Sequence, residues 1–185
     1  INNHGELIGS MKKSGCWHIS FGIETGNAKV MKDIRKPTTV DQVRKVITAC
    51  EANGISTRGF FMIGHPTDTK ETIRETINFA KSLPFFSVQF NFAIPYPGTE
   101  LYSIAKSGVG QFDDNSDYMS GHSQYPIYVP DGLTKEYLMK IQKKAYIEFY
   151  FRPKYIMRRM KEVRNVNQFN KYLKNAMGYV KNSFL

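Results

Sequence analysis

The chain has 185 residues, 41% of them hydrophobic and 23% charged, the profile of a folded domain and not of a disordered segment. No run of about 18 apolar residues occurs, and His4, Glu6, Lys12 and Lys13 interrupt the opening stretch, so neither a membrane span nor a secretory leader is expected. The net charge of +10 is unevenly spread: beyond residue 151, Arg152, Lys154, Arg158, Arg159, Lys161, Arg164, Lys171, Lys174 and Lys181 stand against a single acid, Glu162. Such a stretch suits nucleic acid, an acidic surface elsewhere in the protein, or a solvated face. Cys16 and Cys50 lie too far apart for a disulfide framework or a metal cluster by spacing. They fit a reducing, cytoplasmic setting in which each is a small buried apolar residue. Because the first residue is Ile1, the chain reads as a piece of a larger protein that continues upstream.

In chain order, residues 6–13 read as a helix that feeds a first apolar, β-rich run over 17–23. Helical segments follow over 27–34 and 40–53. The second has Thr39 as N-cap, Val43, Val46, Ile47 and Cys50 on one face, and Gly54 where a helix stops. A second strand is expected over 57–63. Asp68 and Glu71 then have the spacing of a capping box, opening a helix through Ile73, Ile77, Phe79, Ala80 and Leu83 that Pro84 ends. A third strand over 88–94 and a short helix over 99–106 complete the series. Residues 108–132, rich in Gly, Pro and Asp, read as an irregular connection whose Tyr118, Tyr125 and Tyr128 pack against something. Thr134 opens a long helix through Leu138, Ile141, Ala145, Phe149 and Tyr150, and Pro153 breaks it. Two further helices are expected over about 154–163 and 167–181.

Strand and helix alternating every 30 to 40 residues, roughly, imply βα units and a parallel sheet. The expected fold is therefore α/β. Three units make an open sheet or one half of a TIM-like β/α barrel, followed by C-terminal helices. Three regions result: residues 1–107, the barrel piece; 108–132, an irregular connector; and 133–185, a basic helical region.

Alternation within the strands separates two faces. Ile19, Phe21 and Ile23 oppose His18, Ser20, Gly22 and Glu24, while Phe90, Phe92 and Ile94 oppose Gln89, Asn91 and Ala93. Parallel strands covered on both faces are nearly all apolar, so the polar row needs partners. Each buried polar group left unsatisfied costs about 1–3 kcal/mol. A polar ligand inside a barrel, water on an open sheet, or internal hydrogen bonds would each supply them. The strand ends read Phe-Gly-Ile-Glu-Thr-Gly (21–26), Met-Ile-Gly-His-Pro (62–66) and Ile-Pro-Tyr-Pro-Gly-Thr (94–99). Ligands of α/β folds bind at such carboxyl ends. Glycines there admit close approach, Glu24 can accept from ribose hydroxyls or an ammonium group, and the carbonyls of a turn stiffened by Pro95 and Pro97 can accept from an adenine amino group.

Residues 15–26 resemble the fourth-strand segment of radical S-adenosylmethionine enzymes, 59–66 their fifth strand, and 89–99 their sixth strand with its Pro-Gly-Thr turn. The stretch 145–153 is similar to the helix that follows the barrel in the cobalamin-binding subgroup, which includes the anaerobic magnesium-protoporphyrin IX monomethyl ester cyclase. The resemblance covers about residues 5–160. It implies the C-terminal half of a catalytic barrel in an oxidoreductase that cleaves S-adenosylmethionine to a 5′-deoxyadenosyl radical. It also implies a cofactor set of Gly22, Glu24, Met62, Gly64, Pro66, Gln89, Asn91, Ala93 and Pro95. In that set Glu24 meets the ribose or methionine part, Gly22 and Gly64 leave room, Met62 lies near the adenine, and the backbone around Ala93 and Pro95 bonds the adenine edge. Gln89, Asn91 and His18 face substrate or cofactor. Thr25 stands where the family usually has Ser, and Thr67 and Asp68 where it commonly has Gly and Glu. The resemblance further implies a [4Fe–4S] cluster, held by cysteines at CxxxCxxC spacing, and in the subgroup cobalamin. This chain has no such cysteine run, so by itself it is expected to hold no cluster and to be inactive. The implied partners are the upstream half of the same barrel and a small organic substrate. The unpaired sheet edges of a half barrel suggest self-association. A basic α/β module that grips nucleic acid through residues 152–185 is the alternative.

Overall fold

The computed structural model of the chain describes residues 4–114 and 125–162. Helix α1 (His4–Lys13) leads into β1 (His18–Glu24), followed by α2 (Ala28–Asp33), α3 (Val40–Ala52), β2 (Ser56–Ile63), α4 (Lys70–Ser82), β3 (Ser87–Phe92) and α5 (Glu100–Lys106). A two-residue antiparallel ladder, β4 (Gln111–Phe112) with β5 (Tyr128–Val129), lies within the segment expected to be wholly irregular; α6 (Lys135–Tyr150) and α7 (Pro153–Glu162) follow. Tyr128 is fully buried, whereas Tyr125 is exposed; Tyr118 and the helix expected over 167–181 lie outside the described residues.

The three long strands form one parallel sheet in the order β1-β2-β3. Their apolar face is covered by helices. Ile23, Phe61, Ile63, Phe90 and Phe92 pack there with Ile73, Ile77 and Ala80 of α4 and Leu138, Ile141, Ala145 and Phe149 of α6. A smaller cluster of Ile8, Cys50 and Ile55 joins α1 to α3 and β2, so Cys50 is a buried apolar residue, and burial pushes its thiol pKa up. The opposite face of the sheet carries the polar row. β1 and β3 are thus apolar on one side and polar on the other, whereas β2 sets Phe60 and Met62 beside Ser56 and Arg58 on its half-buried side.

Side-chain capping fixes the helix starts. Thr39 caps α3 and forms a reciprocal box with Gln42. At α4 the cap is Thr69, boxed with Thr72, and not Asp68 as the spacing to Glu71 implied. Pro153 occupies the first position of α7, where a missing N–H costs nothing, so it opens that helix as well as following the end of α6.

The outer edge of β3 is closed by α6. Tyr146 Oη accepts from Phe90 N at 3.0 Å and donates to Phe90 O at 3.3 Å. Tyr150 Oη does the same for Val88 N and O, both at 3.1 Å, while Gln142 Nε2 donates to Phe90 O at 2.7 Å and Tyr155 Oη to Phe86 O at 3.0 Å. The spacing allows this. Side chains four apart on a helix are separated by about 6.0 Å, and outward-facing residues two apart on a strand by about 6.6 Å. The expectation of unpaired edges on both sides is therefore corrected at β3. On the β1 side, Phe21, Ile23, Val43, Val46 and Ile47 line a largely apolar cleft of about 550 Å³.

Part of the basic C-terminal stretch is used internally. Arg152 donates to Phe149 O and Leu83 O and lies 3.9 Å from the Phe149 ring centre; burial, with repulsion from Arg158, pulls its pKa down to about 10. Arg158 donates to Phe85 O and pairs with Glu51, and Arg159 sits over the Phe86 ring. These three guanidiniums close the turn between α4 and β3 from outside.

Candidate functional site at the carboxyl ends of the strands

At the end of β1 the ladder with β2 slips between Gly22 and Glu24, a bulge that re-aims the last side chain. Thr25 N donates to Ile23 O at 3.0 Å, and Glu24 between them has φ 72°. This is a γ-turn of the strained hand, rare for a residue with a side chain. The turn places Glu24 Oε1 3.4 Å from Lys36 Nζ, with both side chains mostly buried. A Cβ added at Gly22 would lie 2.9 Å from Glu24 Oε1 and 3.7 Å from Lys36 Nζ, so the glycine makes room for this ion pair. Thr25 points the other way. Its Oγ1 lies 3.0 Å from Thr76 Oγ1 and accepts from Asn27 N, which makes its departure from the family's usual residue a matter of α4 packing.

At the end of β2, Gly64 adopts φ 87°, and a Cβ there would lie 3.4 Å from Leu138, on the helix-covered side. Its glycine serves the backbone turn and the packing under α6, not an opening on the polar face. Asp68, 4% exposed, accepts from Gly64 N (2.9 Å) and His65 N (3.0 Å) through Oδ2 and from Thr72 Oγ1 (2.7 Å) through Oδ1. This clamp holds His65, 6% exposed, whose Nε2 is buried with no hydrogen-bond partner among the described residues. Burial lowers the His65 pKa against the opposing pull of Asp68 and Glu24, keeping the imidazole neutral.

Met62 and Asn91 are register partners on the half-buried polar face, next to Phe60 with Gln89, and Gln89 Nε2 donates to Asn91 Oδ1 at 3.0 Å. Pro66 is half-buried beside His65. Beyond β3, Ala93 N donates to Ile63 O, so that N–H belongs to the sheet; Ala93 and Pro95 are buried and offer a ligand only their carbonyls. Gly22, Glu24, Met62, Gln89 and Asn91 therefore share the polar face and its upper end, whereas Gly64 and the Ala93 N–H are engaged elsewhere. Lys36 and His65 belong to the site and were missed in the sequence. Lys36 sits 12 positions past Glu24 in a loop with no motif of its own, and the isolation of His65 is visible only once its neighbours are placed.

Residues 2–80 match the Radical SAM superfamily. The chain belongs to that superfamily. It is 32% identical over 163 residues to an uncharacterized methyltransferase of Pyrococcus horikoshii, covering 85% of this chain and 34% of that protein. It is 29% identical to the anaerobic magnesium-protoporphyrin IX monomethyl ester cyclase of Cereibacter sphaeroides, covering 82% of this chain and 24% of that enzyme. The chain thus spans about a third or less of these relatives' length. Among solved structures, the archaeal Elp3 of Methanocaldococcus infernus superposes with a TM-score of 0.59 at 17% identity, over 81% of this chain and 30% of that one. The radical S-adenosylmethionine methyltransferase TsrM of Kitasatospora setae, solved with cobalamin and a [4Fe–4S] cluster bound, superposes with a TM-score of 0.50 at 17% identity, over 70% of this chain and 26% of that one. These likenesses show the fold, part of a β/α barrel: three parallel strands with helices on one face.

Proposed function

We propose that this chain forms the nucleoside-facing half of a radical SAM barrel, in an enzyme that uses S-adenosylmethionine to transform an organic substrate. The observation that carries the reading is Glu24, held in a strained turn at the carboxyl end of β1, over a glycine and against Lys36. Strain of this kind persists where surrounding structure enforces it, and it clusters at functional sites.

S-adenosylmethionine fits the residues present. A carboxylate and an ammonium group lie side by side at the mouth, and a buried imidazole nitrogen beside them awaits a partner. In this reading Glu24 accepts from the ribose hydroxyls, Lys36 takes the cofactor's carboxylate, and the Ala93 and Ile94 carbonyls accept from the adenine amino group. The neutral His65 donates or accepts one hydrogen bond without adding charge, and Met62 with Phe60 supplies the apolar wall that excludes water. Bound in the complete enzyme and given one electron by a low-potential donor, the cofactor would supply radical chemistry able to take hydrogen from an organic substrate. A [4Fe–4S] cluster does not fit this chain. Cys50 is fully buried, Cys16 is remote from the strand ends, and no group of three ligating side chains occurs among the described residues. No step is assigned through it, and the 185-residue chain alone is expected to contain no iron and to show no turnover.

Among the relatives, methyltransferases stand beside the ester cyclase, which favours carbon methylation over ring closure as the outcome and makes cobalamin the expected second cofactor of the complete enzyme. Saturation-transfer NMR between the 185-residue chain and S-adenosylmethionine tests the reading. Transfer to the ribose and adenine protons is expected, lost in Glu24→Gln and weakened in Lys36→Ala. Equal transfer in Glu24→Gln would show that the nucleoside does not use this site.

A further inference from the structure

Deeper on the same face lies a second polar group that nucleoside binding at the mouth does not use. Ser20, Arg58 and Ser87 are register partners across the three strands, forming one row; His18 and Ser56 form the row beneath, and Gly22, Phe60 and Gln89 the row above. Arg58 precedes Met62 by four residues, which puts it about 13 Å below the mouth. Its Nε donates to Ser87 Oγ at 3.0 Å, the one hydrogen bond its guanidinium makes among the described residues, and no described carboxylate pairs with it. His18 joins the group, with Nδ1 3.2 Å from Ser56 Oγ and Nε2 3.4 Å from Ser20 Oγ. The strand residues of this face, from His18 up to Gly22 and across to Asn91, include no acid.

Arg58 is half-buried, and the outer N–H groups of its guanidinium have no protein partner among the described residues, so they are free to donate to a bound acceptor. Its planar fork matches an oxyanion, and the surrounding hydroxyls can donate further hydrogen bonds to the same group. We propose that Arg58, with Ser20 and Ser87, forms an oxyanion subsite on the barrel-interior face that takes a carboxylate or phosphate group of the substrate. The subsite stands on its own geometry and does not require the nucleoside reading at the mouth.

His18 reports on it. Burial, and then the charge of Arg58, hold its pKa below the ordinary 6.5, so an anion placed against Arg58 relieves the second cause and raises that pKa. The experiment is an NMR titration of the His18 ring in the 185-residue chain with sodium phosphate and, separately, sodium acetate, with ionic strength held constant by chloride. A saturable rise of the His18 pKa is expected. In Arg58→Gln the ring titrates higher from the start, and the anion response is about tenfold weaker or lost. Ser87→Ala weakens it severalfold, and in Arg58→Lys, a point charge without the fork, the response weakens likewise, which keeps the test available should the glutamine variant fail to fold by circular dichroism. Saturation at lower phosphate than acetate assigns a phosphate group, the reverse a carboxylate, and equal saturation supports an oxyanion site that does not discriminate. A shift that never saturates, or one that is the same in the Arg58 variants, overturns the proposal.

Discussion

Asp68 holds the backbone N–H groups of two successive residues on one carboxylate oxygen and a threonine hydroxyl on the other. Its distance from Glu71 looks like a capping box, yet Thr69 caps the helix. The physical reason is local: the chain leaves β2 through a left-handed glycine, and the N–H groups of Gly64 and His65 then have no strand to donate to. A buried carboxylate satisfies both, and hydrogen bonds to charged groups contribute about 1.5–3 kcal/mol each. Asp68→Ala is therefore expected to lower unfolding stability by about 3 kcal/mol in urea titration, and Asp68→Asn, which keeps one acceptor oxygen, by about half as much. A midpoint unchanged in Asp68→Ala would remove the clamp from the account. Glu24 is the contrasting case. Its carboxylate was legible as a ligand group at a strand end, but its strained turn and its pairing with Lys36 depend on how the bulge in β1 meets the loop after α2.

Helix α6 does for β3 what a further strand does in a sheet. Its tyrosines at positions 146 and 150 accept from the backbone N–H and donate to the C=O of Phe90 and Val88 in turn. In the sequence, Leu138, Ile141, Ala145, Phe149 and Tyr150 already read as a packing face. The hydroxyls' role was hidden, because helical periodicity records burial and not the partner of a polar tip. The double variant Tyr146→Phe/Tyr150→Phe keeps ring packing and deprives the N–H groups of Val88 and Phe90 and the C=O of Val88 of these partners, while Gln142 still donates to the Phe90 C=O. A loss of about 2–4 kcal/mol in thermal or denaturant unfolding is expected. Sedimentation of a concentration series should show new self-association, since an uncovered edge pairs with another chain. A variant as stable and as dispersed as the parent sequence would show that the edge is protected some other way.

Across the whole molecule, charged side chains tie the C-terminal helices to the sheet layer. Glu148 of α6 bonds Arg74 and Lys81 of α4, at 2.7 and 2.6 Å, while Arg152, Arg158 and Arg159 close the turn before β3. Burial pushes the Glu148 pKa up, but the hydrogen bonds from Lys81 and Arg74 outweigh it and leave the group below the ordinary 4.5. A depressed carboxylate stabilises the fold above its unfolded pKa, and that contribution is lost as pH falls through the folded value. The parent chain should thus lose stability below about pH 4.5 more steeply than Glu148→Gln, and at pH 7 the variant should be less stable by about 1 kcal/mol, the partly exposed ends of the pairs being screened by solvent. Parallel stability curves for the two between pH 7 and pH 3, roughly, would separate Glu148 from this role.

The sequence by itself determined the order of strands and helices and the parallel sheet, and it pointed to the carboxyl ends of the strands as the expected place for a ligand. Those properties follow from periodicities of two and 3.6 residues and from Gly, Pro and Thr at boundaries, all of which act over a few neighbours. It also read Cys50 as an inert core residue, and its placement against Ile8 and Ile55 agrees. Only the tertiary structure decided which polar groups meet. Lys36 reaches Glu24 across a loop, Gly64 serves α6 and not the mouth, the Ala93 N–H is taken by Ile63, and Arg58 shares a row with Ser20 and Ser87. Loop path sets the first three, and register sets the last: a one-residue slip of β2 would turn Arg58 to the other face, away from Ser20 and Ser87.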